Sequence, residues 1–238
     1  MPTIFFVGAG AGDPELITVK GHRLVRDADV LLYTGSLVNP ELIEQSHAPL
    51  RESSWGMKLE DQISFMTEHA RAGKNVVRLH TGDPSLYGAI AEQIVELEKR
   101  GIDVEIIPGV SSLFGAAASL KAELTPKGVS ESVIITRPAG NTLETDQIRE
   151  LSRHGATMAI FLGAGHFDDV TNCVEYPPDT PAAVVYHATW KDEQILRGTI
   201  ATIAQQAREA GIEKTALLII GRAVDPRYGG LVRSHLYS

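Results

Sequence analysis

The run V-V-R-L-H-T-G-D-P-S-L-Y-G, residues 76–88, decides how the rest of the chain is read. Val76, Val77 and Leu79 form a short apolar stretch that fits a buried parallel strand. The strand stops at Gly82, where an unusual φ or a close backbone approach becomes possible. Asp83 precedes a proline and is pushed out of the α region, while Pro84 suits the first turn of a helix carrying Leu86, Ile90, Ile94 and Leu97. The stretch predicts strand, tight loop, helix. In an open parallel sheet such a loop lies at the strand carboxyl ends, where bare backbone and helix N-termini face a ligand. By itself it also fits an ordinary βα turn.

The same unit recurs on either side. Residues 3–7 are β-prone and break at Gly8-Ala9-Gly10-Ala11-Gly12-Asp13-Pro14, after which Thr18 can cap a helix carrying Leu24, Val25 and Ala28. A dinucleotide fingerprint fails here, because its third glycine falls on Asp13 and the next strand, residues 30–33, ends in Thr34-Gly35-Ser36 without a carboxylate for a ribose. Asn39-Pro40 reads as a cap and first helical turn, and residues 59–72 carry a helical stripe at Leu59, Ile63, Met66 and Ala70. Gly101 stops the central helix, residues 104–107 form a strand ending at Pro108-Gly109, and Ser111 or Ser112 caps a helix over 113–120. Repeated strand-loop-helix units predict an α/β domain with a mainly parallel sheet over residues 1–123.

Residues 124–131, opening with Leu124-Thr125-Pro126-Lys127-Gly128, read as a linker. Beyond it, strands are expected at 133–136, 158–162, 183–186 and 217–220, helices at 148–154 and 200–210, and a hairpin edge at 195–198. Residues 132–238 are thus a second, mixed α/β domain.

Composition removes several function classes. The formal charge of -8 argues against a general nucleic-acid surface. No apolar run approaches the ~20 residues needed to span a bilayer, and Met1-Pro2-Thr3 is followed by no basic leader, so a cytoplasmic location with no membrane partner is expected. Cys173 is the only cysteine and reads as packing. No G-x-S-x-G elbow, histidine pair of the zinc-protease type or G-x-x-x-x-G-K-[ST] loop occurs, and no metal site is expected.

Four separated segments, residues 7–18, residues 28–33, Thr81-Gly82-Asp83-Pro84 with Tyr87-Gly88, and Pro108-Gly109-Val110-Ser111-Ser112, resemble the tetrapyrrole methylase family in order and spacing over nearly the whole chain. Within the family, Gly35-Ser36-Leu37-Val38-Asn39-Pro40, His80 before Thr81, and Tyr186-His187-Ala188-Thr189-Trp190 look most like members that methylate C-11 of precorrin-4 in cobalamin synthesis. The chain departs from the family pattern at Ala11, where proline is usual, at His187 and Lys191, where a basic residue and proline are usual, and in ending at Tyr237-Ser238, where relatives often continue.

The resemblance implies two α/β domains holding S-adenosylmethionine in the cleft between them, a precorrin substrate, metal-free or cobalt-bearing, and a homodimer. Residue by residue it implies cofactor contacts at Gly82, Asp83, Leu86, Ser111 and Ser112, and at Leu162, Ala188, Ala216 and Leu217; Leu162 and Leu217 equally fit core positions. Methyl transfer to an electron-rich ring carbon needs no protein nucleophile, so no catalytic residue is assigned. His80, Tyr87 and Tyr186 are the polar aromatic side chains near the motifs, read as orienting substrate or satisfying a buried hydrogen bond. An acidic chain that binds a polycarboxylate needs a local cationic rim, for which Lys58, Arg78, His80, Arg137, Lys191 and Arg222 stand nearest the matched strand ends. Two rivals remain: a methylase acting on RNA or protein, and a non-catalytic carrier of corrinoid intermediates.

Overall fold

The computed structural model describes residues 1–140 and 143–225. They fall into two compact units, Met1–Ser112 and a second that starts at Leu113.

The first unit contains β1 (Thr3–Gly8), α1 (Val19–Arg26), β2 (Val30–Tyr33), α2 (Pro40–Glu44), β3 (Leu50–Ser53), α3 (Leu59–Arg71), β4 (Val76–His80), α4 (Ile90–Glu98) and β5 (Asp103–Ile107). Its sheet is wholly parallel, in the order β3-β2-β4-β1-β5. Alternation along the strands feeds two cores. Val7, Leu31, Val77 and Leu79 face Val25 and Leu42, while Ile4, Phe6, Leu32 and Val76 face Ile63, Met66 and Leu97. With both faces covered, β4 is buried at every residue, which is why it reads as a continuous apolar run apart from Arg78 and His80. The expected caps form: Thr18 Oγ1 accepts from the Gly21 N–H at 3.1 Å and Asn39 Oδ1 from the Glu41 N–H at 2.9 Å.

The helix expected to open at Pro84 does not. Residues 84–87 form a turn and α4 begins at Ile90. Asp83 Oδ1 takes the Ser85 N–H at 2.9 Å, and Tyr87 (φ 56°) and Ala89 (φ 48°) have left-handed backbones that a right-handed helix excludes. The strand β3 has no counterpart in the sequence reading, because its Leu-Arg-Glu-Ser lies on the sheet edge and shows no apolar run.

The second unit contains α5 (Ser112–Leu120) from Leu113 onward, β6 (Val133–Thr136), α6 (Ile148–Ser152), β7 (Thr157–Ile160), α7 (Phe167–Cys173), β8 (Pro181–Tyr186), β9 (Gln194–Thr199), α8 (Ile200–Glu209) and β10 (Ala216–Ile220). Its strand order is β6-β7-β10-β8-β9; β6 and β7 are parallel and the other pairings antiparallel, with β9 the hairpin edge. Leu113, Ala116, Leu120 and Leu124 bury against Ala159, Ala183, Val185 and Ile219. That contact sets the division at Leu113, ahead of the 124–131 stretch, which is itself tied down: Thr157 Oγ1 donates to the Leu124 carbonyl at 2.7 Å and the Thr157 N–H to Ser130 Oγ at 2.9 Å. Cys173 packs against the other core face, and burial pushes its thiol up.

Candidate functional site

In the first unit the ends of β1, β4 and β5 are joined by bare backbone. Gly10 and Gly82 exchange hydrogen bonds, at 3.2 and 3.0 Å, and the Ala9 N–H donates to the His80 carbonyl at 2.7 Å. A Cβ built on Gly109 would stand 2.2 Å from the Gly82 carbonyl oxygen and 2.8 Å from Gly8 Cα, so no side chain fits there. Asp83 locks the junction: its Oδ2 accepts the Gly109 N–H at 2.9 Å and its Oδ1 the Ser85 N–H and hydroxyl. Partial burial opposes its charge, but the bonds from Ser85 and Gly109 outweigh that and hold the carboxyl below its usual range. Gly82 differs from Gly109. Its φ is +62°, and although it is buried, a Cβ there would make only ordinary van der Waals contact, with Ser111 Cα at 3.8 Å and Ser112 N at 3.9 Å. The Leu86 N–H donates to the Asp83 carbonyl at 3.2 Å, so Gly82, Asp83, Leu86, Ser111 and Ser112 are brought together.

Two expected rim cations lie elsewhere. Arg78 is 3 % exposed, its guanidinium hydrogen-bonded to Gln62 Oε1 (3.0 Å), Gln93 Oε1 (3.3 Å) and the Leu32 carbonyl (3.4 Å), and burial lowers its pKa to about 10. His80 is 2 % exposed, tilted against Phe6, and its Nε2 is buried without a hydrogen bond. Burial, then the charge of Arg78, takes His80 down to about 3. Both point into the sheet face covered by α3 and α4, because they share the strand parity of Val76. They hold the core around β4 and do not meet solvent, so His80 neither lines a rim nor moves a proton near neutral pH. Lys58 and Tyr87 are exposed at the strand carboxyl ends.

The second unit has a comparable edge. Both β7 and β8 run antiparallel to the central β10, so β7 and β8 end where β10 begins. Four non-glycine residues with left-handed backbones gather there: Leu162 (φ 54°), His187 (φ 47°), Thr189 (φ 69°) and Thr215 (φ 57°). Strain of about 1–3 kcal/mol at each such residue persists only where the surroundings enforce it, and it clusters at binding sites. The enforcing contacts are visible. The His187 N–H donates to the Thr215 carbonyl at 3.1 Å, and Glu193 Oε2 accepts the Thr189 N–H at 2.7 Å and the Ser119 hydroxyl at 2.6 Å. The His187 ring stacks on Tyr186 at 3.9 Å and meets Asp192 Oδ2 through Nδ1 at 2.9 Å. Leu162 is 62 % exposed, which sets aside the core reading for it, whereas Leu217 and Ala188 are packed in the core and offer only backbone to a ligand. Ala216 pairs with Tyr186 at the same edge. Arg137 follows β6 and Lys191 follows β8 at this edge. Arg222 does not: it follows β10 at the opposite edge, where the Gly221 N–H bonds the Pro181 carbonyl at 2.9 Å.

The ties made by Asp83, Glu193 and the His187–Asp192 pair escaped the sequence reading. The one signal for them was acidic residues inside stretches already singled out for other reasons. Among the described residues no three His, Cys, Asp or Glu side chains stand together to hold a metal, and no helix is long and apolar enough to cross a membrane.

A wholly parallel sheet with a glycine junction at its strand ends, followed by a mixed sheet with left-handed residues gathered at one edge, defines a two-domain α/β protein. The chain belongs to the tetrapyrrole methylases: residues 3–204 match the family described as Tetrapyrrole (Corrin/Porphyrin) Methylases. It is 55% identical over 232 residues to the cobalt-precorrin-4 C(11)-methyltransferase of Methanocaldococcus jannaschii, covering 94% of this chain and 89% of that protein. The X-ray structure of a cobalamin biosynthetic enzyme, cobalt precorrin-4 methyltransferase, is 43% identical with a TM-score of 0.91 over 94% of this chain and 96% of that one. The uroporphyrin-III C-methyltransferase of Thermus thermophilus, in complex with S-adenosylhomocysteine, is 27% identical with a TM-score of 0.81, over 93% of this chain and 98% of that one.

Proposed function

We propose that this chain transfers the methyl group of S-adenosylmethionine to C-11 of precorrin-4, giving precorrin-5 in cobalamin biosynthesis. The observation that carries the reading is the 55% identity along 94% of the chain to a relative named for C(11) methylation of the cobalt-bearing form of this substrate. That relative and the 43%-identical structure are both named for the cobalt form, which favours cobalt-precorrin-4 as a second reading of the substrate. A turnover assay offering both forms tests it: one is expected to gain a methyl group at C-11, and binding of either without turnover would leave only a carrier.

Bound S-adenosylmethionine supplies a sulfonium methyl that a ring carbon attacks in line, with a neutral thioether leaving. The protein's part is placement, which can contribute ~7–11 kcal/mol. The absence of a side chain at Gly82 lets the cofactor approach backbone there, and the start of α5 at Ser111 and Ser112 suits a carboxylate. Leu86 in the first unit, and Leu162, Ala188, Ala216 and Leu217 in the second, complete the proposed contacts. Replacing Gly82 by valine puts a branched side chain at φ +62° against the Ser111–Ser112 backbone. The folded variant is expected to bind S-adenosylhomocysteine at least about tenfold more weakly in calorimetry; wild-type affinity would remove the cofactor from this loop.

Lys58, Lys191 and Arg137 remain as the cationic rim for the substrate's carboxylates. Lys58→Gln combined with Lys191→Gln is expected to raise KM for the tetrapyrrole several-fold and leave cofactor affinity near wild type, and added salt should act on the wild type in the same sense. Equal loss of both ligands would place the rim elsewhere. The reading includes a cytoplasmic homodimer, supported by the family resemblance. Light scattering at micromolar concentration is expected to give twice the 25.7 kDa chain mass, and the monomer mass would count against it.

A further inference from the structure

We propose that Trp55 is a stacking surface for the tetrapyrrole ring of the substrate, an inference that rests on the function proposed above. Trp55 is 83 % exposed and stands on a hydrogen-bonded loop. The indole lies against Gly35, where a built Cβ would stand 3.2 Å from Cε3 and 3.7 Å from the Trp55 Cβ. Its backbone N–H donates to Ser53 Oγ at 3.2 Å, and on either side the Ser54 N–H bonds the Tyr33 carbonyl at 2.9 Å and the Met57 N–H the Ser54 carbonyl at 3.0 Å. Gln62 Nε2 donates to the Met57 carbonyl at 3.1 Å, anchoring the loop to α3. The loop backbone is fixed by these bonds and the indole rests on the Gly35 turn, which leaves an uncovered aromatic surface for a planar π ligand.

Position selects the ligand. Trp55 follows β3, and Gly35 beneath it follows β2, so both stand at the strand carboxyl ends that carry the Gly82 junction. In the order β3-β2-β4, β3 lies two strand spacings from β4, about 10 Å, a reach that suits one planar four-pyrrole ring. Leu37, 42 % exposed, lies on the same turn as Gly35, and exposed Lys58 stands three residues along from Trp55 to meet a ring carboxylate. Arg51, Glu52 and Gly56 around the indole are exposed and not apolar. The apolar surface is thus confined to a small area, which fits a small flat ligand.

The test is steady-state kinetics of the full-length protein with precorrin-4 and cobalt-precorrin-4, alongside calorimetry with S-adenosylhomocysteine. Trp55→Ala is expected to raise KM for the tetrapyrrole about tenfold, leave the S-adenosylhomocysteine affinity unchanged and keep the wild-type melting temperature. Trp55→Phe should recover most of the loss, since a ring is what the contact needs. A Trp55→Ala enzyme with wild-type KM overturns the inference while the proposed function stands. A wild type that methylates neither substrate overturns the function and this inference together. A Trp55→Ala protein that turns monomeric in light scattering, with a KM change that follows the loss of the dimer, assigns the indole to a second copy and overturns the inference too.

Discussion

Gly109→Ala is expected to lower the stability of the first unit by about 3 kcal/mol or more, the upper range for overpacking, and to abolish S-adenosylhomocysteine binding. The added methyl would stand 2.2 Å from the Gly82 carbonyl oxygen, 2.8 Å from Gly8 Cα and 3.0 Å from Gly8 C. All three are backbone atoms of neighbouring strand ends, so no rotamer change relieves the clash. To accept the methyl, the β4 and β5 loops must part, which breaks the Gly109 N–H bond to Asp83 at 2.9 Å and leaves a partly buried carboxylate short of a donor. Gly82→Ala is the informative comparison. There the conformational cost of a left-handed alanine, about 1–2 kcal/mol, is the main term, because nothing lies closer than 3.8 Å. In thermal melts Gly109→Ala should fall by roughly 6–12 °C and Gly82→Ala by roughly a third to two thirds as much. Equal shifts, or a Gly109→Ala protein that melts like wild type, would show that the junction is looser than these distances require.

Acid should destabilise the protein well before its carboxylates titrate. His80 is held near pKa 3 in the fold, against 6.5 for an ordinary histidine, because burial and the neighbouring Arg78 both disfavour its charge. The unfolded chain therefore binds a proton below pH 6.5 that the folded chain refuses until about pH 3, and stability rises with pH through that interval. The contribution is complete above pH 6.5. As the pH falls it is lost at up to about 1.4 kcal/mol per unit, on the order of 2 kcal/mol by pH 5. Asp83, whose pKa is also lowered, loses its contribution only as pH falls through the carboxylate range and below, so the window from pH 6.5 to 5 isolates the histidine. Urea midpoints measured across that window should fall for the wild type and stay nearly level for His80→Leu. The slope is the readout, so any constant cost of the leucine does not matter. Matching slopes would mean that His80 is solvated or finds a proton acceptor in solution.

The buried arginine beside it explains why the two residues were read differently from sequence. Arg78 and His80 stand next to a glycine loop, and cations beside ligand loops are commonly exposed. What moves them inside is strand parity together with the two helices that cover that face, where Gln62 on α3 and Gln93 on α4 supply neutral oxygens in place of a carboxylate. Neither helix can be placed over β4 from local pattern. The same applies to Arg222, which is close in sequence to the matched residues Ala216 and Leu217 but leaves the sheet at the other edge, because β10 runs antiparallel to β7 and β8.

Short-range chemistry was legible in the chain itself. Apolar runs bounded by glycine and proline determined the strands β1, β2, β4 and β5, and the Thr18 and Asn39 caps determined where α1 and α2 begin, since these depend on residues a few positions apart. The order of the glycine loops determined the family. The strands and helices expected beyond residue 132 formed as well, and tertiary structure decided how the segments meet. Backbones distant in sequence meet at Gly8, Gly82 and Gly109. Asp83 closes a turn that delays α4 to Ile90, α5 is drawn into the second unit, and left-handed residues gather at one edge of its sheet. Each of these is settled by contacts between segments tens of residues apart, whose closeness depends on strand order and direction, and neither quantity is written in any local stretch of sequence.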